Sequence, residues 1–259
     1  MKIYRFRYRK RILQGVLKEE FLFPVKGSIF GEFRITDSPI PIGDVRVLPP
    51  VLPTKIIGIG RNYREHAREL GNPVPEEPLV FLKPSTAVIG HLDGIVPPAM
   101  AGRIDYEGEL GVVIRKKTRG LGDDAPVSDH ILGYTCFNDV TARDLQKKDV
   151  QFTRAKSFDT FAAVGPCVVT GLDPAALRLK TFLNGKLVQS GTTSDLIFSV
   201  PFLVRFVSRI MTLNPGDIIA TGTPAGVGPM TLGDRVDVQI EGIGVLSNTL
   251  APANNKEDE

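Results

Sequence analysis

A chain of 259 residues can hold one large domain, or a small one plus a medium one, with an interior large enough for a pocket. Its 42% hydrophobic and 24% charged content is ordinary for a soluble globular protein, while 26 Gly and 20 Pro point to turns and short strands rather than a helical bundle. A net charge of +3 with three histidines argues against a dedicated nucleic-acid binder and leaves little scope for a pH-switched surface.

The N-terminus has a charge at every second position and no apolar signal segment. No window approaches the ~18 consecutive apolar residues of a membrane span, so neither secretion nor membrane embedding is expected. Within "YRFRYRKR" (4 to 11), Tyr4, Phe6 and Tyr8 alternate with Arg5, Arg7 and Arg9. This predicts a strand with one buried and one wet face, ahead of an RNA-binding role for the arginines. Short strands and turns continue to about residue 48, and "PPVLP" (49 to 53) separates them from the remainder of the chain. The predicted organisation is a small β-rich N-terminal segment (1–50), one main domain (51–250) and a disordered tail, "APANNKEDE" (251–259).

In the main part, "TKIIGIG" reads as a buried strand and "RNYREHAREL" (61 to 70) as a short helix, with Asn62 and Glu65 spaced as a capping box. Strands follow at "PLVFLKP", "GELGVVI" and "ILGYTCFND", then a helix in "VTARDLQ". Asn184-Gly185 supplies a type I′ turn to the hairpin "LKTFLNGKLVQSG". "SVPFLVRFVSRIMTL" is a helix with Pro201 near its start and Phe202, Leu203, Phe206, Val207 and Ile210 at helical spacing. "NPGDIIATGTPAGVGP" gives a turn, a strand and a glycine-rich loop. Strands dominate without regular alternation with helices, so the fold class is mainly β with a few helices, not a doubly wound parallel sheet. Cys136 and Cys167 lie in apolar strand-like stretches without a C-x-x-C pair, as reduced thiols of a cytoplasmic protein do.

Several motifs are excluded. "GIGRNY" has Tyr63 where a dinucleotide fingerprint needs its third glycine, and "TGTPAGVGP" lacks the Lys of a P-loop. There is no G-x-S-x-G elbow and no H-E-x-x-H zinc helix. What remains is a set of acids. Glu107 and Glu109 in "RIDYEGELGVVI" are one residue apart, so in a strand they share a face. The ordinary reading is a wet strand edge; the alternative is a cation site, because paired buried carboxylates repel unless a positive charge compensates them. Asp139 ends the strand "ILGYTCFND", either as a helix N-cap or as a third acid, and Arg143 and Gln146 fall at i+4 and i+7 from it on one helical face. Three carboxylates suit Mg²⁺ or Mn²⁺, with Ca²⁺ also admitted, and leave positions open for a chelating 2-oxo acid. Lys156 in "RAKSFDT" is either solvated or placed to bind an anion. His66 and Glu69 are three apart, as surface charges or as a base oriented by its carboxylate.

Seven blocks then occur in order: "GRNYREHARE", "PLVFLKPSTAVIG", "DYEGELGVVI", "GYTCFNDVTARDLQ", "RAKSFDTFAAVGP", "DLIFSVPFLVRFVS" and "PGDIIATGTPAGVGP". Over residues 55 to 248 they resemble the fumarylacetoacetate hydrolase family, in particular its short members related to acylpyruvases, oxaloacetate decarboxylases and homoprotocatechuate-pathway isomerases and decarboxylases. The resemblance implies a mixed β-sandwich roll, usually homodimeric, with Glu107, Glu109 and Asp139 holding Mg²⁺ or Mn²⁺. It implies a lid helix bearing His66 and Glu69 as catalytic residues together with Lys156, and substrate contacts from Arg143, Gln146, Gly222 and Thr223. The larger N-terminal domain and additional upstream carboxylate of fumarylacetoacetate hydrolase itself have no counterpart that can be located here.

The expected activity is metal-dependent chemistry on a 2-oxo acid through an enolate, as carbon–carbon bond hydrolysis or decarboxylation. The alternative within enzymes is isomerisation or decarboxylation of a muconate-like diacid, as with 2-hydroxyhepta-2,4-diene-1,7-dioate and 5-carboxymethyl-2-hydroxymuconate in aromatic catabolism. The alternative from another class is a non-catalytic metal and 2-oxo acid binding protein. Neither nucleic acid nor membrane is expected as a partner.

Overall fold

A computed structural model describes residues 1–252; the rest of the predicted tail lies outside the described residues. Ala251, placed in that tail by sequence, is still tied to the fold through its N–H on the Ile95 carbonyl at 2.8 Å. Three sheets make up the architecture, of thirteen, five and three strands, with four α-helices among the described residues. Strands dominate as expected.

The large sheet runs, from one edge, Phe33–Ile35, Phe21–Gly27, Arg11–Lys18, Lys2–Tyr8, Ala162–Val169, Ile131–Asp139, Gly108–Ile114, Ile218–Ala220, Lys55–Gly60 and Leu79–Pro84. Residues 1–50 therefore continue the sheet, with Lys2 opposite Val169 and Ile3 opposite Val168. Tyr4 and Phe6 are buried and Arg7 is exposed, so the alternation in "YRFRYRKR" is the buried and wet faces of this strand. The second sheet contains the hairpin Arg178–Leu183 and Lys186–Thr192, closed by Asn184 and Gly185 with φ of 51° and 79°, as a type I′ turn requires. The third joins Thr141–Ala142, Ile104–Tyr106 and Gly228–Met230.

The helix Val200–Ile210 starts with Pro201 as predicted, but its buried face is Leu203, Val204 and Val207. Phe202 and Ile210, assigned to the core by spacing, are 45% and 56% exposed. Phe202 is instead the middle ring of a stacked run, with Phe198 at 5.5 Å and Phe206 at 5.9 Å. Both cysteines are free and buried, and among the described residues no helix is long and apolar enough to cross a membrane.

One close approach shapes the pocket wall. Gly58 faces Phe81 across the pairing of Lys55–Gly60 with Leu79–Pro84, and a Cβ on Gly58 would fall 2.1 Å from the ring. Only glycine lets Phe81 lie flat there.

Candidate active site

Two central strands of the large sheet bring the acids together. Gly108–Ile114 pairs with Ile131–Asp139 in a register that sets Gly108 opposite Asn138 and Glu109 opposite Phe137. Glu107 is not part of that strand. It is the single residue between Ile104–Tyr106, in the three-stranded sheet, and Gly108–Ile114, so one continuous strand carrying both glutamates is corrected to a change of sheet at Glu107. The change is possible because Gly108 packs against Thr181, whose Oγ1 would lie 2.2 Å from any Cβ there. Two hydrogen bonds hold the kink: Glu107 N–H donates to Asn138 Oδ1 at 2.9 Å, and Asp139 N–H donates to the Glu107 carbonyl at 2.9 Å. One carboxylate oxygen from each of Glu107, Glu109 and Asp139 lies within 4.8 Å of the other two, and all three residues are buried.

Three acids withdrawn from water repel one another, and the surrounding cations relieve this unequally. Lys156, at the end of the short helix Thr153–Lys156, donates to Glu107 at 2.9 Å, Asp139 at 2.5 Å and Thr141 Oγ1 at 2.8 Å. Arg143 pairs with Glu107 and donates from Nε to Asp105 at 2.8 Å. Lys83 pairs with Asp139 and donates to the Val140 carbonyl at 3.2 Å. Glu109 accepts only the Gly222 backbone N–H, at 2.8 Å, among the described residues.

The titration of the acids follows this asymmetry. Burial raises the Glu107 carboxyl, but Lys156 and Arg143 outweigh it and hold the group below its ordinary range. Burial, then Asp139 and Glu107, push Glu109 well above it. Burial also depresses the Lys83 amine, whereas at Lys156 the same penalty is outweighed by Asp139 and Glu107 and the amine is raised. A buried carboxyl without a cationic partner, converging with two others, is a donor set that a hard dication fits.

The remaining predicted residues surround the triad. Arg143 and Gln146 lie on the helix Arg143–Lys148, but Asp139 precedes it in its own strand and Ala142 is the N-cap, so the single helical face drawn through all three is corrected. Arg143 instead reaches Glu107 through space and donates from Nη1 to Gln146 Oε1 at 2.5 Å, which leaves the Gln146 amide hydrogens for a ligand. His66 and Glu69 are on the helix Arg64–Glu69, with His66 Nδ1 3.2 Å from Glu69 Oε2 and Glu69 Oε1 accepting from Gly226 N–H at 3.0 Å. The capping box predicted for this helix does not form. Asn62 instead accepts from Phe198 N–H at 2.7 Å and donates to the carbonyls of Phe198 at 3.0 Å and Thr221 at 2.8 Å, which pins the start of the helix to the loop after Ile218–Ala220.

A cavity of about 250 Å³ joins these groups, lined by the triad, His66, Arg143, Gln146, Lys156 and Thr223, and by Ile59, Leu70, Phe81 and Phe152. Gly222 is not among the residues lining the cavity, and its N–H is given to Glu109. Thr223 lines the cavity, yet its hydroxyl donates to the Gly108 carbonyl at 2.9 Å and accepts from Gln189 at 2.8 Å. Gly222 has φ of 100°, and a Cβ there would approach Asn62 Cβ to 2.7 Å. Gly222→Ala is therefore expected to cost about 1–3 kcal/mol of stability in urea unfolding and to weaken cation binding by displacing the N–H from Glu109. Unchanged unfolding would contradict this role for the loop.

The description "Fumarylacetoacetate (FAA) hydrolase C-terminal" matches residues 55–251, most of the chain, and "Rv2993c-like, N-terminal" matches residues 1–50. The chain belongs to the fumarylacetoacetate hydrolase family. It is 58% identical over 223 residues to an uncharacterized protein of Archaeoglobus fulgidus, covering 86% of this chain and 89% of the relative. It is 46% identical over 225 residues to oxaloacetate tautomerase YisK of Bacillus subtilis, covering 81% and 74%. Its fold matches the crystal structure of 2-hydroxyhepta-2,4-diene-1,7-dioate isomerase from Mycobacterium marinum with a TM-score of 0.91 and 40% identity, covering 98% of this chain and all of that one. The mainly β architecture is thus that of the fumarylacetoacetate hydrolase family.

Sequence reasoning missed three supports of this family site. Lys83 is fully buried against Asp139, and its only signal is a lone cation inside the apolar run "PLVFLKP". Asp105 is buried between Arg143 and Arg103. Gln189 accepts the Gly108 N–H at 3.0 Å from the far side of the kink. No local pattern marks Asp105 or Gln189, because Asp105 meets Arg143 from 38 positions away and Gln189 reaches Gly108 from another sheet.

Proposed function

We propose that the protein is a divalent-cation-dependent enzyme that moves a proton at C3 of a 2-oxo acid, interconverting keto and enol forms. The observation that carries this reading is one cavity bringing an all-carboxylate triad and a carboxylate-backed histidine together. Glu107, Glu109 and Asp139 would hold Mg²⁺ or Mn²⁺, which as a Lewis acid would polarise the 2-oxo group and make the C3 proton more acidic. His66 takes that proton on Nε2, the ring nitrogen left when Glu69 engages Nδ1, and Glu69 stabilises the imidazolium that results. The same nitrogen returns the proton, to oxygen or to carbon, so no other reactant is consumed. Gln146 donates to the substrate carboxylate, and the apolar wall of Phe81 and Phe152 excludes water that would compete for the proton.

Proton transfer is favoured over hydrolysis or decarboxylation because it needs the fewest groups, and because two of the similar proteins are named a tautomerase and an isomerase. The first test is the thermal midpoint of EDTA-treated protein, alone, with Mg²⁺, and with Mg²⁺ plus oxalate, a planar mimic of the enolate. Ligand at ~100 times its Kd stabilises the native state by about 2.7 kcal/mol, a shift easily seen. Oxalate is expected to act only when Mg²⁺ is present. A midpoint moved by neither ligand would overturn the reading.

A further inference from the structure

We infer that Arg61 reads a second carboxylate on the substrate, so that the site selects 2-oxo diacids over 2-oxo monoacids. The inference rests on the proposed 2-oxo acid site and adds a specificity-determining residue to it. Every other buried cation around the cavity is spent on protein acids: Arg143 on Asp105 and Glu107, Lys156 on Glu107 and Asp139, Lys83 on Asp139. Arg61 lines the cavity, is half-buried and makes no hydrogen bond or ion pair with any described residue. The acids nearest it in sequence are engaged elsewhere, Glu65 with Arg68 and Glu69 with His66.

The backbone also singles Arg61 out. Its φ of 57° is a left-handed conformation uncommon for an arginine, and the next residue, Asn62, is anchored by three side-chain hydrogen bonds. This arginine follows directly on the strand Lys55–Gly60, the kind of strand end where pockets form. A 2-oxo acid held by its chelating end at the triad directs the rest of its carbon chain toward the other walls. Those walls are the apolar Ile59, Phe81 and Phe152, with Arg61 the half-buried cation among them; Lys147 is exposed and screened by solvent. An unpaired guanidinium beside apolar surface is complementary to a carboxylate, not to a methyl group.

The test uses full-length, Mg²⁺-loaded protein with Arg61→Asn and Arg61→Lys. Asparagine tolerates the left-handed backbone and so removes the charge with little change of conformation. Two readouts are compared, the kinetics of enol-oxaloacetate ketonisation and the thermal shift produced by oxalate, which chelates but has nothing beyond C2. For Arg61→Asn, KM for oxaloacetate is expected to rise about tenfold to a hundredfold, with the oxalate shift unchanged, and Arg61→Lys to restore part of the loss. An unchanged KM overturns the inference. So does a KM that moves together with the oxalate shift, since Arg61 would then act through the lid helix or the triad. Parent protein that binds oxalate but turns over no 2-oxo diacid overturns the diacid selection and leaves the metal site standing; absence of the oxalate shift overturns the site itself.

Discussion

Glu109→Gln is expected to abolish cation-dependent turnover, by about 10³-fold or more, while leaving the metal-free protein at least as stable as the parent. The two effects have one cause. In the absence of a metal ion, Glu109 is the member of the triad that makes no ion pair with a side-chain cation, so its charge is costly to bury and its loss relieves Asp139 and Glu107. With the cation bound, the same oxygen would be a ligand.

The pH dependence gives the sign. Burial, Asp139 and Glu107 hold the Glu109 carboxyl above its ordinary 4.5, so between 4.5 and that raised value the native state binds a proton that the unfolded state does not. Its contribution to stability therefore falls as pH rises through the window. The depressed Glu107 carboxyl behaves oppositely: its contribution is complete above 4.5 and fades only as pH falls below it. Urea unfolding in EDTA between pH 4.5 and 8 should show that the gain in stability from Glu109→Gln grows with pH. Taking the difference between variant and parent cancels the contributions they share, including that of Lys83. A variant that is less stable at neutral pH, or that keeps cation-dependent activity, would remove Glu109 from the ligand set.

His66→Ala is expected to lower kcat by ~10² to 10⁴ without weakening Mg²⁺ or oxalate binding. Among the described residues the imidazole makes no hydrogen bond or ion pair with the three acids; its one side-chain partner is Glu69 at 3.2 Å, which in turn is fixed by Gly226 N–H. Removing it takes away the proton acceptor and leaves the triad and the Arg143 and Lys156 pairs intact. Glu69→Gln, which keeps the shape but not the charge, should fall between parent and His66→Ala. Thermal shifts with Mg²⁺ and oxalate, measured beside the kinetics, separate this from unfolding of the helix. A full rate in His66→Ala would reassign the base.

What could be read in advance was chemistry carried by spacing, and what could not was chemistry carried by packing. Glu107, Glu109 and Asp139 stand out in sequence because acids are conspicuous in apolar strands, yet the reason the glutamates meet is the break at Gly108, not a shared strand face. Likewise Asn62 has the spacing of a cap, but its side chain instead accepts from Phe198 N–H and donates to the Thr221 carbonyl, both remote in sequence. In the helix Val200–Ile210 the period was legible and the buried face was not, because Phe202 and Ile210 are as apolar as Leu203 and Val207. Lys83 shows the limit most clearly: a lysine buried at a strand end is indistinguishable from a solvated one until its partner, 56 positions away, is known.

The first strand of the large sheet has a consequence for how the chain is made. Lys2–Tyr8 hydrogen-bonds to Ala162–Val169, and the contact of Met1 with Thr170 spans 169 positions. Residues 5 to 7 of this strand find both neighbours early, in Arg11–Lys18 and Arg46–Leu48, whereas Lys2 and Ile3 wait for Val169 and Val168 to emerge. The edge left open until then is only these two residues long, too short to serve as a template for association with other nascent chains.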